Sequence, residues 1–259
     1  MTVLDAFDLD GETAIVTGGN RGIGRAIANA LAEAGASVVV ANRDAASGEE
    51  AAEEISDSTG ADAFAVECDV TDEDAVEAMV EATVERFGGV DVLVNNAGIV
   101  VHEAIETMSL EEWSAVLTTN LTGAFLCSRA AGREMMENGG GVVLNVSSMS
   151  AFIANYPQRQ VAYNASKAGL EGFKNQLASE WAEHGIRVNN LAPGYVATDN
   201  ADQGAQVAEN AVETWEGEML MDEMASPEML GPTAVYLASD ASAYMTGETI
   251  VLDGGYTVR

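Results

Sequence analysis

Lysine is nearly missing from this chain. Lys167 and Lys174 are the only two, and all 11 basic residues together face 42 acidic ones, a formal net charge of −31 at pH 7. A nucleic-acid partner is excluded by that balance, because phosphates must be met by cations. Cysteine is as scarce: Cys68 and Cys127 fit no metal-ligand spacing and read as small, reduced, buried side chains. The two histidines, His102 and His184, lie far apart, so no metal site is expected. No apolar run approaches the ~20 residues of a membrane span. Met1 to Asp10 holds three acids and no apolar core, which argues against a secretory signal and for the cytoplasm. Linkers, repeats and low-complexity tracts are missing too. The chain reads as a single domain, residues 1–259.

Hydrophobic residues make up 47% of the chain, enough for a large core. They fall into short β-branched runs separated by helix-length segments. The strand candidates are Thr13–Thr17, Ser37–Ala41, Ala63–Cys68, Asp91–Asn95, Gly141–Ser147, Ile186–Leu191 and Thr249–Leu252. Most are almost continuously apolar, as strands covered on both faces must be. The alternation predicts an α/β fold with a doubly wound, parallel, seven-stranded, Rossmann-like sheet. Ser109-Leu-Glu-Glu112 is a capping box that opens one helix, and Gly35 ends the first helix, Arg25 to Ala34. Residues 199–225 follow the sixth strand, lack any basic residue and carry Trp215, Met219, Leu220, Met221 and Met224. Apolar side chains in so acidic a stretch need something to cover, and a substrate lid is the preferred reading over a solvated insertion.

Two motifs carry chemistry. Thr17-Gly-Gly-Asn-Arg-Gly-Ile-Gly24 follows a strand and opens a helix, so its amides and the helix N-terminus suit a pyrophosphate. Tyr163-Asn-Ala-Ser-Lys167 sets a phenol and an ammonium on one helix face, above a stripe of Leu170, Phe173, Leu177 and Trp181. A free phenol is a poor acid or base at neutral pH, and a fixed cation beside it favours the phenolate. Together the motifs resemble the short-chain dehydrogenase/reductase family over about residues 7–259. Asn95-Asn-Ala-Gly98, Asn120 in Thr-Thr-Asn-Leu-Thr, Asp69-Val70, Pro193-Gly194 with Val196 and Thr198, and Asp253-Gly-Gly255 match that family's motifs in turn.

The resemblance implies a hydride transfer between a nicotinamide and a small-molecule carbonyl or alcohol. Tyr163 would be the general acid/base, Lys167 would lower its pKa and hold the ribose, and Asn120 would keep a relay water. Ser148 would polarise the substrate oxygen, with Ser147 and Ser150 as alternatives. The cofactor would lie on Gly18, Asn20, Arg21, Ile23, Gly24, Asn42, Arg43, Asp69, Val70, Asn96, Ala97, Gly98, Tyr163, Lys167, Pro193, Gly194, Val196 and Thr198. Ser148-Met-Ser-Ala and Asn155-Tyr-Pro-Gln-Arg-Gln160 resemble polyol and sugar-acid reductases of the family, among them mannitol 2-dehydrogenase and gluconate 5-dehydrogenase; the Pro193 loop and the residues after Leu252 resemble 2-dehydro-3-deoxy-gluconate 5-dehydrogenase. Substrate contacts are expected from His102, Ser150, Asn155, Arg159 and Gln160; alternatively, Arg159 caps a loop and His102 packs beneath it. The second strand ends Ala-Asn42-Arg43 where an acid would hold a free ribose 2′-hydroxyl, which favours NADP(H), with NAD(H) as the alternative. A homotetramer is implied by resemblance. The rival activity is 3-oxoacyl-carrier-protein reduction, which would want a basic docking patch; a cofactor-sensing, non-catalytic regulator is the rival of another class.

The charge also suggests a chain adapted to molar salt, where a Debye length of ~3 Å screens surface repulsion. Thermal unfolding followed across potassium chloride concentrations should show the melting temperature rising from low to molar salt. A flat profile would contradict the reading.

Overall fold

The structure is a computed structural model that describes residues 2–198, 211–221 and 223–259. Among these residues the expected sheet forms with all seven strands parallel, in the order β3-β2-β1-β4-β5-β6-β7. The strands are β1 (Thr13–Thr17), β2 (Ser37–Asn42), β3 (Ala63–Glu67), β4 (Val92–Asn95), β5 (Gly141–Val146), β6 (Ile186–Pro193) and β7 (Thr249–Leu252). The principal helices are α1 (Gly22–Glu33), α2 (Ala45–Thr59), α3 (Glu73–Phe87), α4 (Leu110–Leu117), α5 (Gly123–Asn138), α6 (Val161–Trp181), α7 (Ala211–Glu218) and α8 (Gly231–Ala238). None is long and apolar enough to cross a membrane.

Side chains that alternate along each strand enter two different cores. Ala14, Val16, Val38, Val40, Val92 and Val94 pack under α1, α2 and α8, with Ile27, Leu31, Ile55 and Leu237. Ile15, Val39, Leu93 and Val143 pack under α3, α5 and α6, with Met79, Cys127, Met135 and Leu177. Burial on both faces is the physical reason that the central strands read as continuous apolar runs. The edge strands β3 and β7 are only half covered.

α1 starts at Gly22, three residues before the expected Arg25. Glycine's weak helix propensity argues against that start, but the glycines are needed there for the close contacts described below. At its other end Ala36 N–H reaches Leu31 C=O at 3.1 Å and Gly35 N–H reaches Ala32 C=O at 3.0 Å, a Schellman cap that requires Gly35's φ of +107°. The Ser109–Glu112 capping box forms as expected at the start of α4.

One feature of the core is polar. Asn95, Asn145 and Asn190 lie in register on β4, β5 and β6. Asn95 donates to Asn145 and Asn145 to Asn190, each at 2.9 Å, with Ser128 Oγ beyond one end and the Leu170 carbonyl beyond the other. This ladder ties α5 and α6 to the carboxyl ends of three strands, where the site is built.

Candidate functional site

The strand order reverses between β1 and β4, and a cleft of about 820 Å³ opens at their carboxyl ends. Such a switch point is where ligands bind in open parallel sheets. The glycine turn forms its floor. A Cβ on Gly24 would stand 2.2 Å from the Gly18 carbonyl oxygen and 2.4 Å from Asn96 Nδ2, so only glycine fits there. Asn96 Nδ2 donates to the Thr17 and Gly18 carbonyls at 2.8 and 3.2 Å, which pins the turn to the end of β4. Asn20, Arg21, Ile23, Arg43, Asp69, Val70, Ala97, Gly98, Pro193, Gly194 and Thr198 also line the cleft. A flat, glycine-floored cradle of this size fits a nicotinamide dinucleotide.

At the end of β2, Asn42 is 7% exposed; its Nδ2 donates to the Asp44 carbonyl at 2.6 Å, and its Oδ1 has no hydrogen-bond partner. Asp44 is engaged as the N-cap of α2, accepting from Ser47 N–H. Arg43 is exposed beside the cleft. Asp69 lies below the usual carboxylate range because Thr71 N–H and then Thr71 Oγ donate to it and Arg43 lies near. Val196 is 4% exposed and packs its side chain into the core beside α8, pairing across a bridge with Ala225, so only its backbone is left to meet a ligand in the cleft.

The candidate catalytic groups converge on the other wall. Lys167 is buried on α6, with Nζ donating to the Val146 carbonyl at 2.7 Å and lying 5.5 Å from the Tyr163 ring centroid. Burial pulls its pKa down to about 8. Burial pushes the Tyr163 phenol up, against a hydrogen bond with Ser148 that pulls it down. In the chain alone, burial is the largest influence on the phenol. Desolvation penalises the charged form of both groups, and the ammonium is turned toward Val146.

Ser148 also hydrogen-bonds Ser150 Oγ at 3.1 Å, whereas Ser147 Oγ points away to Glu171 Oε1 at 2.6 Å. Of the three candidate serines, Ser148 is the one hydrogen-bonded to the phenol. Asn120 sits on a π-helical turn, Thr118–Thr122, a distortion often found at functional sites. Its Nδ2 donates to the Ile99 carbonyl at 2.9 Å and Ser166 Oγ at 3.0 Å. A small cavity of about 10 Å³ lies between Asn95, Thr119, Asn120 and Lys167, about the volume one water requires.

The expected substrate residues divide. Ser150, Asn155 and Gln160 join Asn164 in one hydrogen-bonded cluster behind Ser148. Arg159 does not join them: its side chain is 69% exposed and faces Glu106 at 3.6 Å. His102 is half-buried with both ring nitrogens enclosed, and burial favours its neutral form.

Sequence reasoning missed a clasp built on Gln158. Its Nε2 donates to Tyr195 Oη at 2.9 Å, and its Oε1 accepts from Trp215 Nε1 at 3.0 Å, while Trp215 stacks on Tyr195 at 4.3 Å. The signal was Trp215 itself, an aromatic in an acidic stretch. Of the segment expected as a lid, residues 199–210 and 222 lie outside the described residues.

A cradle at the switch point with a serine, a tyrosine and a lysine on its far wall is the arrangement of a nicotinamide-dependent oxidoreductase. Residues 18–257 match the family model described as enoyl-(acyl carrier protein) reductase. The chain is 42% identical over 253 residues to galactitol 2-dehydrogenase (L-tagatose-forming) of Cereibacter sphaeroides, covering 97% of each chain. It is 39% identical over 258 residues to the NADP-dependent mannitol dehydrogenase of Alternaria alternata, covering 98% of this chain and 96% of that one. A crystal structure of a short-chain type dehydrogenase/reductase from Mycobacterium marinum superposes with a TM-score of 0.96 at 42% identity over 100% of both chains. The chain belongs to the short-chain dehydrogenase/reductase family.

Lys167 gives a pH test. An unfolded lysine keeps its proton up to its ordinary range, whereas the buried one releases it near a pKa of about 8. Between those values the unfolded chain binds more protons, so rising pH favours the native state at this residue. Comparing the melting temperatures of the wild type and Lys167→Met, both without cofactor, the wild type should gain on the variant as pH rises from about 8 to 10. Parallel profiles would show that the lysine is not desolvated.

Proposed function

We propose that the chain interconverts a secondary alcohol and a ketone on a sugar-derived substrate, with NADP(H) as the preferred cofactor. The observation that carries this reading is the convergence of Ser148, Tyr163 and Lys167 on the cleft wall at the carboxyl end of β5. The polyol dehydrogenases among its relatives support the substrate class. A bound nicotinamide supplies the hydride acceptor or donor.

Every other part of the reaction falls to the chain. Gly18 to Gly24 hold the pyrophosphate, Asp69 and Val70 flank the adenine, and Asn96 to Gly98 with Pro193, Gly194 and Thr198 hold the nicotinamide end. Tyr163 Oη gives its proton to the substrate oxygen in reduction and takes it back in oxidation. Ser148 Oγ holds that same oxygen in place. The Lys167 ammonium stabilises the phenolate when it forms, and Asn120 keeps a water in the small cavity through which the proton is exchanged with solvent. Helix α7, anchored by Trp215, forms part of the substrate cover. The reading includes a homotetramer and an acidic surface suited to saline solvent.

NADP(H) is favoured by what stands at the end of β2. Asn42 carries no charge to repel a 2′-phosphate, Asp44 is committed to capping α2, and Arg43 offers a planar fork to phosphate oxygens. Wild type should use NADP with a higher kcat/KM than NAD. Arg43→Ala should lose about 10-fold with NADP and little with NAD, the value of one charge-assisted contact. A wild-type preference for NAD would overturn the assignment.

Tyr163→Phe, assayed on a polyol panel, should lower kcat by about 10²–10⁴-fold. Cofactor affinity, read by fluorescence titration, should stay nearly unchanged. More than about a tenth of wild-type turnover would remove Tyr163 from its role.

A further inference from the structure

The substrate half of the cleft has no cation to spare for a substrate carboxylate, and we infer that the substrate is an uncharged polyol or its ketose, not a sugar acid. The inference rests on the oxidoreductase reading above and sharpens it.

The chain has only 11 cationic side chains, so each can be placed. Arg21, Arg25 and Arg43 stand at the nucleotide end of the cleft. Arg86, Arg129 and Arg133 are ion-paired with Asp62, Glu73 and Glu77 on the outer helices and the loop before β3. Arg187 is half-buried and donates to the carbonyls of Leu237, Ala238 and Ser239 behind the sheet. Arg259 donates to the Gly217 carbonyl at 2.7 Å. Lys174 is buried between Glu171 Oε2, at 3.4 Å, and Thr249 Oγ1, at 2.9 Å.

Arg159 is the one cation on the loop beside Ser148, and it faces outward to Glu106. Burial disfavours the charged form of His102, against a hydrogen bond with the Arg159 backbone. That leaves Lys167, whose ammonium is held by Val146. Residues 199–210 and 222 change nothing in this inventory, because by sequence they contain no lysine, arginine or histidine, while Asp199, Asp202, Glu209 and Asp222 are acids.

What surrounds the candidate catalytic serine is instead neutral: Ser150, Asn155, Gln160 and Asn164, with Gln158 and Tyr195 behind them. A carboxylate moved from water into such surroundings loses hydration and gains no counter-charge. A hydroxymethyl group in the same place loses much less.

The experiment compares matched substrates that differ only at that group: galactitol and mannitol against galactonate and mannonate, oxidised with NADP or NAD in molar potassium chloride. The salt screens the field of the whole molecule, so the comparison reports charges next to the substrate. The hexitols should be favoured in kcat/KM by about 100-fold, the upper end of what one charged contact is worth, because here the carboxylate is desolvated with no partner at all. Arg159→Gln should leave both series unchanged. Comparable turnover of acids and hexitols would overturn the inference while leaving the oxidoreductase reading in place. So would loss of aldonate oxidation in Arg159→Gln, by showing that this arginine swings inward. Turnover of neither series would overturn the sugar-derived substrate class and the inference with it.

Discussion

The hydrogen bond from Lys167 Nζ to the Val146 carbonyl is the contact around which the candidate site is organised. It holds α6 against the carboxyl end of β5, and through that strand end it sets Ser148 opposite Tyr163. Two supports keep the strand end where it is. Ser147, between Val146 and Ser148, is bound by Glu171 one helical turn beyond Lys167. Asn145, just before them, is locked between Asn95 and Asn190. Removing the Asn145 amide would leave one Asn95 N–H and the Asn190 Oδ1 without the partner each has now, at about 1–3 kcal/mol for each. The site is thus precise because a buried polar ladder, rather than the apolar core, fixes the depth of its elements.

A chain with so few cations uses its two lysines inside. Lys167 and Lys174 are 4% and 5% exposed, both on α6, and neither reaches the surface. The outer surface is left to acids and a few paired arginines. One set of charge choices therefore sets Arg21, Arg25 and Arg43 along the cleft floor, apart from the amides and hydroxyls behind Ser148, which are the nucleotide and substrate ends in the proposed reading.

Much of this was legible in the sequence. All seven strands were: the five central ones because strands buried on both faces must be apolar throughout, and the half-covered edge strands β3 and β7 as short apolar runs between helix-length segments. The glycine turn was, because a helix start that meets a carbonyl at 2.2 Å admits no Cβ. The pairing of Tyr163 with Lys167 was, because four residues make one helical turn. What stayed hidden depends on contacts far apart in the chain. Val196 lies within a cofactor-loop motif, yet its side chain turns into the core. Arg159 follows a loop that leads to the site, yet the chain there points it at Glu106. The asparagine ladder was invisible because a strand pattern reports only which face a residue is on, not what stands beside it in register. Gln158 was one polar residue among several in its loop until Tyr195 and Trp215 were brought to it from positions 37 and 57 residues away.

The most direct test of the account is a crystal structure of the chain with NADP and a hexitol bound. The reacting hydroxyl should lie within hydrogen-bonding distance of both Ser148 Oγ and Tyr163 Oη, with Lys167 still at Val146 and no cation within reach of the far end of the hexitol. A hexitol seated against Ser150 or Ser147 in place of Ser148, or away from Tyr163, would contradict the arrangement proposed for this wall of the cleft.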